Sequence, residues 1–132
     1  MPHKLLDAAT PADSRETERF IALVADKLTA TDRLFRECLA SDVPFIQKSG
    51  EYIFDGGGKR MRPALLLLCA RLLDRDGEEE VTYAAVVELI HTATLIHDDI
   101  IDHSALRRGR KTINELWGNN LTVLLGAWLY TT

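Results

Sequence analysis

The chain has 132 residues, 46% hydrophobic and 27% charged, with a formal net charge of −4. That is an ordinary globular composition, enough for one domain with a moderate core. The acidic balance argues against nucleic acid as a partner. Cys38 and Cys69 show no C-x-x-C spacing, so they read as reduced thiols rather than a disulfide framework or zinc site. No apolar run reaches membrane-spanning length, and the N-terminus lacks the basic, apolar and cleavage-site series of a secretory signal, so a cytoplasmic location is expected.

Residues 1–12, with Pro2 and Pro11, carry little pattern and are expected to be loose. Asp13 or Ser14 can cap a first helix. Phe20, Leu23, Val24, Leu28, Leu34, Phe35 and Leu39 then recur at helical spacing, which predicts one long amphipathic helix over 14–40. Ser41 or Asp42 can cap a second, with Pro44 near its start, ending at Gly56-Gly57-Gly58. Pro63 opens a third, to about Leu73, apolar enough to be buried. A fourth runs from about Val81 to Asp102. A basic loop follows, then a short helix from Thr112 to Trp117 and a last apolar helix from Leu121 to Tyr130. No strand pattern and no repeat appears, so the class is all-α.

The stretch Glu88–Gly109 carries the first chemical signal. Asp98, Asp99 and Asp102 form a D-D-x-x-D pattern, followed by Arg107 and Arg108. On a helix turning ~100° per residue, Asp98 and Asp102 share one face, with Asp99 just off it. Like charges so close repel, and a chain tolerates them where a cation sits between them. Hard oxygen donors suit magnesium, which is usually held by one or two carboxylates plus substrate phosphates. Guanidinium groups suit phosphate oxygens. The competing reading is a solvated acidic patch. The apolar helix before it, AAVVELIHTATLI, argues against that, because carboxylates ending a buried helix need partners.

The second signal is Gly56-Gly57-Gly58-Lys59-Arg60-Met61-Arg62-Pro63, just before a helix. Glycines bring backbone N–H groups near a ligand, Lys59, Arg60 and Arg62 add positive charge, and a helix N-terminus adds more. This is an anion site by composition, or else a glycine cap followed by solvated basic residues. It is not a P-loop, since G-x-x-x-x-G-K-[ST] is absent. His91, two turns before Asp98, reads from geometry as a core histidine. Glu88-x-x-His91 matches half of a di-iron motif, but that motif needs a second such pair, and none occurs.

Together, G-G-G-K-R-x-R-P, His91 and H-D-D-x-x-D-x-x-x-x-R-R-G (His97–Gly109) resemble the trans-isoprenyl diphosphate synthases, or polyprenyl synthetases. The resemblance covers roughly 14–130. It implies an all-α helical bundle of the isoprenoid synthase type, with residues 13–132 as its N-terminal portion. It also implies a prenyltransferase that couples isopentenyl diphosphate head-to-tail to an allylic diphosphate, releasing pyrophosphate, and that works as a homodimer. By the same resemblance, Lys59, Arg62, His91 and Arg108 would hold isopentenyl diphosphate. Asp98, Asp99 and Asp102 would bind Mg2+ bridging to the allylic diphosphate, which Arg107 would also contact.

In that family, residues four and five positions before the first aspartate set product length. Here they are the small Thr94 and Ala93, which implies a medium or long product and predicts that Ala93→Phe shortens it. The chain departs from the family in two ways. It holds no second aspartate-rich motif, so alone it is expected to be incomplete. It also has Gly126-Ala127 where glycine-aspartate is usual. A non-catalytic diphosphate-binding partner subunit is the alternative. A class I terpene cyclase would leave the Lys59/Arg62 site without purpose.

Overall fold

The computed structural model describes residues 11–132; the expectation for residues 1–10 lies outside the described residues. The order is α1 (Pro11–Ala22), α2 (Ala25–Cys38), α3 (Pro44–Asp55), α4 (Met61–Leu72), α5 (Glu79–Ile101), β1 (Leu106–Arg107), β2 (Arg110–Lys111), α6 (Ile113–Trp117) and α7 (Asn119–Thr131). The class is all-α, as expected.

The single helix expected over 14–40 is two, and it begins earlier, at Pro11. The break falls at Leu23–Val24, where Leu23 N and Val24 N donate three residues back, to Phe20 O and Ile21 O. Val24 is buried against Leu67 and Ala84, while Phe20 and Leu23 stand exposed. The break therefore separates an uncovered segment from a packed one. The second expected helix starts at Pro44, whose fixed φ suits the first turn. Neither Ser41 nor Asp42 caps it. The cap residue is Val43, whose N–H donates to the Ser41 hydroxyl.

α5 is the axis of the molecule and packs against α2, α4 and α7. Glu79 and Glu80 sit in its first turn, where carboxylates offset the helix dipole. Its inner side joins Leu89, Ala93 and Ile96 to Phe35 of α2 and Leu39 just past its end, Ile113 of α6, and Leu125 and Leu129 of α7. α4 is less buried than its composition predicts, with Leu65, Leu72 and Leu73 exposed. On α5 and α7, Ile90, Ile101 and Leu124 are exposed too, so apolar faces stand uncovered among the described residues.

The absence of strands needs correction. The basic loop folds into a minimal antiparallel ladder pairing Leu106 with Lys111 and Arg107 with Arg110. Its two-residue loop, Arg108-Gly109, has φ of 52° and 76°. Two positive φ values are what a type I′ hairpin turn demands. Tyr52 of α3 ties the ladder down: its hydroxyl donates to Lys111 O at 2.6 Å, and Arg110 lies 4.0 Å over its ring. Thr112 caps α6 as expected, its hydroxyl accepting from Glu115 N.

Candidate active site

A cleft of about 330 Å³ opens between the end of α3, the glycine loop, the middle of α5 and the ladder. Three parts of the chain supply its basic side chains. Lys59 and Arg62 come from the glycine loop and the start of α4, His91 from α5, and Arg107 and Arg108 from the ladder. The apolar part of its wall includes Phe35, Leu95 and Ile96.

The glycine loop reaches the cleft through left-handed backbone. Gly57 and Gly58 have φ of 66° and 154°, and Arg60, the cap residue of α4, has φ of 52°. A Cβ on Gly58 would sit 3.1 Å from Arg60 Nη1 and 3.9 Å from Arg108 Nη1. Only glycine combines that backbone with so close an approach to two guanidinium groups.

The loop's three cations are not equivalent. Arg60 turns inward and is buried, donating from Nε to Asp32 Oδ1 at 2.6 Å and from Nη1 to Glu88 Oε1 at 3.1 Å. Arg62 Nη1 lies 3.1 Å from His91 Nε2. A guanidinium only donates, so Nε2 accepts and neutral His91 carries its proton on Nδ1. Burial, and then the charge of Arg62, hold the His91 imidazole below its ordinary pKa against the opposing pull of Glu88. Both members of the half di-iron motif are thus engaged by arginines, Glu88 by Arg60 and His91 by Arg62.

The acidic cluster divides. Asp99 is buried and gripped by Arg107: Nε lies 3.1 and 3.0 Å from its two oxygens, and Nη2 lies 2.7 Å from Oδ1. These bonds hold the Arg107 guanidinium above its ordinary pKa. Asp98 and Asp102 are exposed, with no side-chain hydrogen bond or ion pair among the described residues. Among the described residues no group of three His, Cys, Asp or Glu side chains is placed to hold a metal ion. The reason is helical phase, since a neighbouring residue at ~100° turns Asp99 inward while Asp98 faces out. Asp102 lies just past the helix as its cap residue.

The cleft thus gathers Lys59, Arg62, His91, Asp99, Arg107 and Arg108, but not Asp98, Asp102, Ala93 or Thr94. Ala93 has no exposed surface and sits in the core. Thr94 is half-buried, its hydroxyl donating to His91 O at 2.6 Å. Sequence reasoning missed the partners Asp32 and Glu88, and it counted Arg60 with the free cations. The available signal was Glu88 itself, a lone acid in an apolar helix, eleven residues before Asp99 and hence ~20° from it around the axis.

The pattern of the polyprenyl synthetase family matches residues 43–132. Octaprenyl diphosphate synthase of Escherichia coli (strain K12) is 45% identical over 114 residues, covering 86% of this chain and 35% of that protein. The polyprenyl synthase of Caulobacter crescentus CB15, solved in complex with calcium and isoprenyl diphosphate, matches the fold with a TM-score of 0.82 at 38% identity, over 86% of this chain and 35% of that one. For the decaprenyl diphosphate synthase of Rhodobacter capsulatus the values are 0.79 and 42%, with the same coverage. The chain spans about 35% of the length of these relatives. No helix among the described residues is long and apolar enough to cross a membrane. The glycine-loop cations, the divided aspartates and the arginine ladder all fall inside the matched span, and the chain belongs to the polyprenyl synthetase family.

Proposed function

We propose that this chain carries the isopentenyl diphosphate site and the first metal site of a prenyltransferase. That enzyme condenses isopentenyl diphosphate head-to-tail with an allylic diphosphate and releases pyrophosphate. The observation that carries the reading is the convergence of Lys59, Arg62, His91 and Arg108 on one cleft, beside two unpaired carboxylates at the end of α5.

Lys59, Arg62 and Arg108 bind the diphosphate of isopentenyl diphosphate, and His91 offers its Nδ1–H. Holding that group fixes the double bond relative to the allylic carbon, which removes much of the entropic barrier. Breaking the allylic C–O bond places negative charge on the departing pyrophosphate, where Arg107 stabilises it. Arg107 engages Asp99 through Nε and Nη2 only, which leaves Nη1 without a partner among the described residues. Asp99 acts by orienting that fork. Phe35, Leu95 and Ile96 keep water from the carbocation.

Asp98 and Asp102 fit magnesium: both are hard oxygen donors, exposed and unpaired, and magnesium takes one or two carboxylates plus substrate phosphates. When bound, the ion supplies positive charge at the leaving pyrophosphate.

The product is of medium or long chain. Support comes from the small Thr94 and from the octaprenyl and decaprenyl synthases among the relatives. The working form is a cytoplasmic homodimer, for which the exposed apolar side chains of α7 supply surface.

The test is transfer from labelled isopentenyl diphosphate by the complete enzyme, with magnesium and an allylic primer. Labelled lipid product is expected, and its loss in Lys59→Ala and in Asp98→Ala. No lipid product from the unaltered enzyme, with primers of several lengths, would reject the reading.

A further inference from the structure

The two motifs place five basic residues around the cleft, Lys59, Arg60, Arg62, Arg107 and Arg108, and of the glycine loop's three Arg60 alone spends its guanidinium on two carboxylates. We infer that Arg60 is a positioning residue: it staples the glycine loop to α2 and α5 so that Lys59 and Arg62 are presented to a diphosphate. The statement deepens the prenyltransferase reading and rests on it for the identity of the ligand.

Three contacts carry it. Arg60 Nε bonds Asp32 of α2, Nη1 bonds Glu88 of α5, and the guanidinium carbon stands 5.0 Å over the Phe35 ring. The Arg60 side chain is 14% exposed and that of Glu88 10%. A cation so committed has little left for a ligand. The backbone agrees. Arg60 takes a left-handed conformation at a position where helix starts usually take extended residues with short polar side chains, and it makes no side-chain cap bond. Such a conformation persists only where its surroundings over-determine it.

Neutralisation is the second half of the role. Glu88 lies one turn before His91 and lines the same cleft as Lys59 and Arg62. Without Arg60, a buried carboxylate would face the site with no cation bonded to it, opposing any diphosphate. Arg60 therefore fixes the loop and cancels a charge that the ligand would otherwise meet. A lysine in its place presents a single point charge and cannot bridge both carboxylates in one fork.

The experiment uses the complete enzyme with Arg60→Met, Asp32→Asn, and Arg60→Met combined with Glu88→Gln. The first probe is inorganic pyrophosphate without metal, measured by calorimetry; the second is hydrogen exchange of the amides of residues 57–62; the third is KM for isopentenyl diphosphate against kcat. Arg60→Met is expected to weaken pyrophosphate binding about tenfold or more, since truncating one partner of a buried charge pair leaves the other uncompensated. It should also speed exchange in 57–62 and raise KM more than it lowers kcat. Adding Glu88→Gln should restore part of the pyrophosphate affinity, which a purely structural role would not produce.

Pyrophosphate affinity and exchange within about twofold of the unaltered enzyme would overturn the proposal, as would a double variant no better than Arg60→Met. Should Arg60→Met fail to fold, Asp32→Asn decides. Its carboxylate is 42% exposed and its loss leaves the Glu88 bond in place. It should weaken pyrophosphate about threefold, and no change would overturn the staple. An unaltered enzyme that makes no prenyl product would reject the functional reading, while the pyrophosphate and exchange results would still decide the role of Arg60.

Discussion

The Asp99–Arg107 fork offers the sharpest energetic test, because its two partners differ in burial. The Asp99 side chain is 8% exposed and that of Arg107 41%. Arg107→Met would strand a buried carboxylate that has no other side-chain partner among the described residues, which places the cost at about 3 kcal/mol, the lower end for breaking a buried pair because the fork is open to solvent on one side. Asp99→Asn removes the charge but keeps an amide oxygen that can accept from Nε or Nη2. The guanidinium, already partly in water, rehydrates, so the cost should be about 1 kcal/mol. The expected result is therefore an asymmetry of about 2 kcal/mol between two ends of one contact. Urea unfolding reports it through Trp117 and Trp128, both packed against the main core. Unchanged m-values would confirm that the two variants unfold comparably. Equal costs, or a larger cost for Asp99→Asn, would refute the view that burial of Asp99 dominates this pair.

The remaining predictions concern His91, Gly126 and Thr94. His91 has a folded pKa below its ordinary 6.5, from burial and then from Arg62. As pH falls through the window between 6.5 and that lowered value, the unfolded chain takes up the proton before the folded one, so stability falls. Urea midpoints measured from about pH 8 down to about pH 5 should show this loss, and His91→Gln should flatten it; an unchanged slope would exclude His91 as its source. A Cβ at Gly126 would sit 2.1 Å from His97 Nε2. Gly126→Ala should therefore cost about 1–3 kcal/mol by displacing the ring and its contact with Val123 O, and a second change, His97→Ala, should recover much of it. For product length, Ala93 is a poor probe. It is fully buried in the core, so Ala93→Phe overpacks the junction of α5 with its neighbours before it tests a pocket. Thr94→Phe should shorten the lipid product seen by chromatography, and an unchanged product distribution would sink the proposal that this position limits length.

Helix existence was readable from apolar spacing because α2, α5 and α7 bury one stripe each against a shared core. Spacing could not locate the break at Leu23–Val24. Val24 and Leu28 continue the same periodicity, and only their contacts in the smaller cluster around Leu67 and Ala84 separate the two helices. The ladder was invisible for another reason. Two residues per strand are too few for an alternation, and its turn uses Arg108-Gly109 rather than the asparagine-glycine or aspartate-glycine pair that marks such hairpins. The site was legible as a set of charges but not as a set of pairs. Arg60 lines the cleft with Lys59 and Arg62, so composition assigned all three to one task, and only the bonds to Asp32 and Glu88 set it apart.

The pairs follow from the phase of a single helix. Taking Glu88 as origin, Thr92, Leu95 and Asp99 fall within ~40° of it, so one stripe of α5 carries two buried carboxylates eleven residues apart. Each meets an arginine from a different loop: Glu88 meets Arg60 of the glycine loop, and Asp99 meets Arg107 of the ladder. In both loops a neighbouring cation, Lys59 or Arg108, stays exposed along the cleft. Each loop also contains an arginine held at φ of 52°. Two carboxylates on a rigid element thus fix two otherwise irregular segments, and each fixed arginine sets the direction of the free cation beside it. The outward carboxylates, Asp98 on the same helix and Asp102 just past its end, have no side-chain partner among the described residues: Asp98 by its phase, ~80° from Glu88, and Asp102 because the helix has ended.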